Sequence, residues 1–267
     1  MSDSAPESLI SPGHPDMTPG RPVIVDARDR ATAVLEILLC SSVPTQLTIG
    51  ALLRAVGVRS TDAAGHLSLA FVVTLSLADT ALLIVMMILL MHAHGESARG
   101  TWLGPTSRVA PRGTTSFTVR EALVGLATVP LVFLGVGILL NTLRLFVPSL
   151  HNVETNPLEQ LAATPGQAAL FSLVAILAGG VREELQRAFM LRRFEQYLGG
   201  ATVGILVLSV AFGLGHVMQG WDAVVTTAAL GAFWAWMYLQ RRSSVGPMVS
   251  HAGFNSLEIL RLAFLGA

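Results

Sequence analysis

The sequence predicts an all-α fold: a multi-pass transmembrane helical bundle of about seven spans. Three observations carry that prediction. The 267 residues are 52% hydrophobic and only 13% charged, whereas an ordinary soluble domain is about one-quarter charged. The mean hydropathy is +0.62. Apolar runs long enough for a bilayer core, about 20 residues as helix, recur along the chain. The arginines also alternate from one connecting segment to the next, as the positive-inside rule expects.

Composition excludes some functions. The formal net charge is zero, so there is no basic footprint for nucleic acid. All basic residues are arginine. The lone cysteine, Cys40, sits in an apolar run. It can form neither an internal disulfide nor a cysteine-based zinc site, and reads as a small buried residue.

Residues 1–28 are rich in Pro, Ser and Asp and lack the apolar core of a secretory signal. Residues 1–30 are therefore expected to be a disordered N-terminal tail. Residues 31–162 are expected to form an N-terminal transmembrane region, and 163–262 a second region carrying most of the unusual polar residues.

The first span covers about 31–53, interrupted by Glu36, Pro44 and Gln46. The second covers about 66–92 and the third about 121–147. Both are long and apolar. The fourth starts near Gly166 and continues into the charged VREELQR. The fifth is about 200–218, the sixth about 222–240 and the seventh about 245–265. A polar segment at 95–118 separates spans two and three. Gly200 and Gly204 have a spacing that suits close helix packing.

Arg99, Arg108, Arg112 and Arg120 lie between spans two and three, Arg192 and Arg193 between four and five, and Arg241 and Arg242 between six and seven. The links after spans three and five carry none, and only Arg54 and Arg59 dissent. The alternation places the N-terminus in the cytoplasm, the C-terminus outside, and the chain in the cell membrane.

Ionisable side chains inside spans are costly, so each is a functional candidate. In the C-terminal half they form three patterns: Glu183, Glu184 and Arg187 as E-E-x-x-x-R on span four, Phe212 and His216 as F-x-x-x-H on span five, and His251 and Asn255 as H-x-x-x-N on span seven. Residues four apart share a helix face. Each pattern therefore points two marked residues toward one cavity or neighbour.

Counted from the cytoplasmic ends at a helical rise of about 1.5 Å per residue, Glu183 lies roughly 20 Å deep, His216 roughly 24 Å, His251 roughly 10 Å and Asn255 roughly 17 Å. These depths are compatible with one layer inside the bilayer, reached from the cytoplasmic side.

A carboxylate beside a histidine can hold and deprotonate a water. A second histidine with an amide can donate hydrogen bonds to an oxyanion. Those parts suffice to hydrolyse a peptide bond. The same side chains also suit a zinc ion, Zn2+, with Glu183, His216 and His251 as candidate ligands. There is no H-E-x-x-H motif and no G-x-S-x-G elbow.

The three patterns, in this order and at intervals of 33 and 35 residues (183 to 216, 216 to 251), resemble the CAAX protease and bacteriocin-processing (CPBP, or Abi) family of intramembrane proteases. That family includes the Ras-converting type of CAAX prenyl endopeptidase. The resemblance covers about residues 163–262, which would then be the catalytic domain. It implies that Glu183 is the base that activates water and that Glu184 either supports it or positions substrate. Arg187 would fix the carboxylates, and His216 would help hold the water. His251 and Asn255 would stabilise the oxyanion, with Phe212 packing nearby. The expected partners are a peptide or protein substrate and the lipid bilayer.

Each residue alone also has a plainer reading. Glu183 and Arg187 could form a simple i,i+4 ion pair, His216 a helix-bridging hydrogen bond, and Asn255 interhelical glue. Asp79, mid-span two, reads as a paired structural carboxylate. Glu36, Asn141 and Arg144 read similarly, and Trp221, Trp234 and Trp236 as interfacial or packing residues. Two rival functions remain open at this point. One is a transporter or ion-binding membrane protein, which predicts inverted repeats and broken helices. The other is a non-catalytic membrane scaffold.

Overall fold

The computed structural model describes residues 25–104 and 114–265, and among them the chain is helical with no strand. An isolated bridge between Thr61 and Leu67 is the sole β pairing described. Residues 1–24 of the expected tail, Arg108 and Arg112 lie outside the described residues.

Helix α1 (Ala27–Leu39) starts inside the stretch assigned to the tail, because Asp26 caps it. The Asp26 side chain accepts from the Asp29 amide at 2.8 Å, and the Asp29 side chain accepts from the Asp26 amide at 3.2 Å. Such reciprocal capping satisfies amides that a helix start leaves free. The first apolar run is not one straight helix. Ser42 is left-handed (φ 68°), and Pro44 sits in the first turn of α2 (Val43–Ala55), a position where a missing amide hydrogen costs nothing.

Helix α3 (Leu69–Ala93) is capped by Ser68. The polar segment after it is not wholly irregular: Ser97 caps the short α4 (Ala98–Leu103). Helix α5 (Thr114–Phe146) follows. Two 3-10 turns, Pro148–Leu150 and Glu159–Ala162, lead to a single long rod. The rod comprises α6 (Pro165–Val174), a π-helical segment (Ala175–Arg182) and α7 (Glu183–Tyr197). A hairpin of α8 (Ala201–Leu214) and α9 (Trp221–Arg241) comes next, then α10 (Val245–Leu265).

The stretches Ala27–Ala55, Leu69–Ala93 and Phe117–Phe146 are long and apolar enough to cross a membrane by length and composition. Helix α8 is apolar but shorter. The rod, α9 and α10 carry the polar groups of the C-terminal half, which lowers their hydropathy. Large apolar side chains stand outward on the long helices, among them Leu89 on α3, Leu131 on α5 and Leu206 on α8. Continuous apolar exposure of this kind suits contact with lipid.

Contacts define the two ends of the bundle. At one end, Arg192 and Arg193 bond Glu96, Arg241 bonds Glu121, Arg242 bonds Glu195, and the Ser244 amide donates to the Trp102 carbonyl. At the other end, His151 bonds Asp222 at 2.8 Å and Asn156 bonds Gln219 at 3.2 Å.

The main core fills the first end. It includes Leu83, Met87, Met91, Trp102, Ala188, Phe189, Leu191 and Tyr238. Trp102 Nε1 donates to the Leu185 carbonyl at 3.1 Å, which plugs α4 into the bundle.

Close packing joins the rod to α10. A Cβ added at Gly180 would lie 2.5 Å from the Ala252 Cβ, so only glycine allows this approach. The Gly200 and Gly204 spacing proves to serve two tasks. Gly204 abuts Phe194, where an added Cβ would sit 2.8 Å away, whereas Gly200 (φ 94°) makes the turn into α8.

Candidate active site

The site forms where the rod, α8, α9 and α10 meet, and it is organised by a buried acid. Glu184 begins α7 beside Glu183, and Glu184 is 2% exposed. Arg187 donates to it through Nε and Nη2, both at 3.1 Å. This forked pairing selects arginine over lysine. It also corrects the i,i+4 expectation, because Arg187 pairs with Glu184 and not with Glu183.

Histidine 251 completes the triad. Its Nδ1 lies 2.9 Å from Glu184 Oε1. A carboxylate already gripped by a guanidinium is ionised and only accepts, so Nδ1 carries the proton and donates. The other ring nitrogen, Nε2, then faces Glu183 Oε2 at 4.0 Å. That gap is too wide for a direct hydrogen bond and has the span of a water-bridged contact.

The His251 ring is clamped from one side by Trp234, stacked at 3.8 Å between centroids and inclined by 16°. Trp234 is buried, and its Nε1 donates to Ser250 Oγ at 3.1 Å. Its reading as a packing residue holds. What it packs on was not expected.

Glu183 is the more open of the two acids, with 22% of its side chain exposed. Its partner is Arg182, whose Nη2 donates at 3.2 Å. Arg182 is itself buried. Its Nη1 donates to Ser42 Oγ at 2.6 Å and to Gln186 Oε1 at 3.0 Å, and lies 4.0 Å from Asp79 Oδ2. Asp79 is fully buried, with bonds from Thr45 and Gln46. It is thus the paired carboxylate that its plainer reading described. Sequence reasoning missed Arg182, although a charge directly before the two acids was a usable signal.

His216 lies two residues beyond the end of α8. Its Nδ1 donates to the Phe212 carbonyl at 2.9 Å, which leaves Nε2 for the cavity. Phe212 does more than pack: the Arg187 guanidinium lies 4.5 Å from its ring centre, and the ring stands edge-on to both His216 and His251. Asn255 Nδ2 reaches the Ala175 carbonyl at 3.5 Å, at the start of the π segment. π turns loosen the helical ladder and cluster at functional sites.

A cavity of about 750 Å³ connects these groups. Its walls include Glu183, His216, Trp234, His251 and Asn255. The structure therefore brings the six sequence candidates to one place, with Glu184 and Arg187 behind the wall. No three of His, Cys, Asp and Glu stand close enough to hold a metal ion among the described residues. Glu183 Oε2 and His251 Nε2 lie 4.0 Å apart with His251 Nδ1 on Glu184, and His216 does not join them in a group of three placed to hold a metal ion among the described residues.

The chain is thus a helical membrane protein with a water-accessible carboxylate–histidine centre buried among its C-terminal helices. Residues 165–257 match the family model described as Type II CAAX prenyl endopeptidase Rce1-like. That match spans about a third of the chain, supports an assignment to the CAAX protease and bacteriocin-processing family, and points to a protease. No curated protein and no solved structure gives a significant match.

Proposed function

We propose that the protein is an intramembrane endopeptidase in which Glu183 activates a water. The carrying observation is the division of labour between the adjacent acids. Glu184 is buried, paired and bound to His251, while Glu183 faces the cavity across a 4.0 Å gap from His251 Nε2.

In this reading Glu183 takes a proton from the water as its oxygen attacks the scissile carbonyl carbon. His216 Nε2 helps hold that water. The tetrahedral oxyanion receives a hydrogen bond from the Asn255 amide. His251 Nε2, without a proton while Nδ1 donates to Glu184, can only accept and so helps hold the water instead of the oxyanion. Glu183 then passes the proton to the leaving nitrogen, and the carbon–nitrogen bond breaks. Glu184 and Arg187 hold the His251 ring and its tautomer, which is the role of a positioning pair. Residues 163–262 would be the catalytic domain, carried with the N-terminal helices in about seven spans of the cell membrane. No step is routed through a metal.

Prenylated CAAX proteins are the family's eukaryotic substrates. Membrane-bound or secreted peptides such as bacteriocins suit this chain equally well. Hydrolysis is favoured over ion transport because the Glu183 side faces a peptide-sized cavity, and over a scaffold because a scaffold needs no such buried, fully paired centre.

Purified wild-type, Glu183→Gln and His251→Ala proteins should be compared on peptides trapped by Glu183→Gln and identified by mass spectrometry. Cleavage by either variant at the wild-type rate would remove the assignment.

A further inference from the structure

The depth of the polar residues suggested access from the cytoplasm. The walls of the cavity argue otherwise. Val72 and Ser76 lie near the start of α3, Asn141 and Arg144 near the end of α5, and Glu258 and Leu262 in the latter half of α10. Successive helices run in opposite directions, so these positions share one end of the bundle. The segment from His151 to Glu159 and the α8–α9 turn at Gln219 complete the rim at that same end.

The opposite end is shut. Leu185, Phe189 and Leu191 of α7 pack with Met91, Trp102 and Tyr238, each at most 8% exposed. Beyond them Arg193, with no exposed side chain, is locked between Glu36 and Glu96. A peptide would have to unpack the core and break this ion cluster to reach His251 from there.

The two ends also differ in charge. The shut end carries Arg99 on the short α4, Arg120 in the first turns of α5, Arg192 and Arg193 in the last turns of α7, Arg241 ending α9 and Arg242 just beyond it. At the open end, residues 147–164 and 215–220 carry no arginine. Arg144 and Arg261 stand there on helix ends, paired with Asp222 and Glu258 much as the shut-end arginines are paired with acids, but they are fewer. Arg54 and Arg59 are the dissenters. Arginine in short connections favours the cytoplasm, and acids weigh little in that bias. The shut end is the cytoplasmic one.

We infer that the site is reached from the extracytoplasmic face, so its substrate is a polypeptide segment exposed there after crossing the membrane. The substrate half rests on the peptidase reading. The access half does not. A cytosolic C-terminal tail of the prenylated kind would meet the sealed end. An exported peptide, or the outer end of a membrane-anchored one, would meet the cavity.

Cysteine labelling separates the two halves. In a Cys40→Ala background, Ser76→Cys and Asn141→Cys report on the wall and Arg99→Cys on the shut end; two wall positions guard against one failing to fold. A membrane-impermeant maleimide should label both wall cysteines in spheroplasts, with loss of that labelling in sealed inverted vesicles. Arg99→Cys should show the reverse. Wall cysteines labelled from the same side as Arg99→Cys would overturn the opening, and Arg99→Cys labelled in spheroplasts would overturn the orientation. An impermeant fluorogenic peptide mixture should be cleaved by spheroplasts holding wild-type protein and not by those holding Glu183→Gln. Cleavage seen only with inverted vesicles would overturn the substrate half. Expected labelling with cleavage from neither side would sink the substrate half together with the peptidase reading, and leave the access half standing.

Discussion

Arg187 holds Glu184 in a fork of two 3.1 Å hydrogen bonds, and leaves the neighbouring Glu183 to Arg182. Adjacent helical residues point about 100° apart. The doublet is therefore one buried anchor and one cavity-facing group, and the two should fail differently when mutated. Arg187→Met strands a buried carboxylate, which costs about 3–5 kcal/mol. Its melting temperature in detergent should fall sharply. Glu183→Gln should melt near wild type while losing turnover. Equal melting losses in both would contradict the division of labour.

Arg182 acts on Glu183 through position. It is held by Ser42, Gln186 and Asp79. Arg182→Lys loses the guanidinium fork and lets the Glu183 carboxylate drift. Misplacement by about 1 Å can cost roughly a hundredfold in rate. The fall should appear in kcat, with KM little changed. A change confined to KM would instead assign Arg182 to substrate binding.

Gly180 tests the rod–α10 contact. Gly180→Ala puts a methyl into Ala252, 2.5 Å from its Cβ, and overpacking costs about 1–3 kcal/mol. Gly135 of α5 has nothing within 4 Å of an added Cβ. Gly135→Ala should instead gain stability, up to about 1 kcal/mol from helix propensity. Denaturation midpoints of the two variants should move in opposite directions.

Glu96, between α3 and α4, gives the shut end of the bundle an acid limit. Burial works against its charge, but hydrogen bonds from Arg192, Gln196 and Arg193 prevail and hold its carboxyl below the ordinary value of 4.5. The folded protein thus releases this proton more readily than the unfolded chain. Its contribution is fully present above 4.5 and is lost as pH falls through the lower folded value. Thermal melts as pH falls from 4.5 through that lower value should show a shallower pH dependence in Glu96→Gln than in wild type.

Chelation should leave cleavage unchanged, since the cavity-facing groups do not form a ligand set among the described residues. Loss of activity in a chelator with recovery on added zinc would refute that expectation.

Much of the site was legible because ionisable groups are costly in an apolar chain. Glu183, Glu184, Arg187, His216, His251 and Asn255 all stood out on that ground, and their spacing put them on shared faces. The partnerships were less legible. An i,i+4 pattern offers Glu183 to Arg187, but i,i+3 geometry serves Glu184 as well, and only the rotation after the π segment decides between them. No propensity marks Ala175–Arg182 as π-helical; the α10 contacts at Gly180 and Asn255 accompany it. Pro44 did signal the break between α1 and α2. Depth along a helix measures distance from an end and says nothing about whether that end is packed.

Arg182, Glu183, Glu184 and Arg187 all belong to one unbroken rod running from Pro165 to Tyr197. The proposed base and its supports therefore have no hinge between them and are carried by one element. Any breathing that admits a peptide and expels its fragments falls to the other rim, residues 148–163, whose regular structure is two short 3-10 turns. The bonds from His151 to Asp222 and from Asn156 to Gln219 are the latches that this motion must release, so the pace of turnover would be set there and not at the acids.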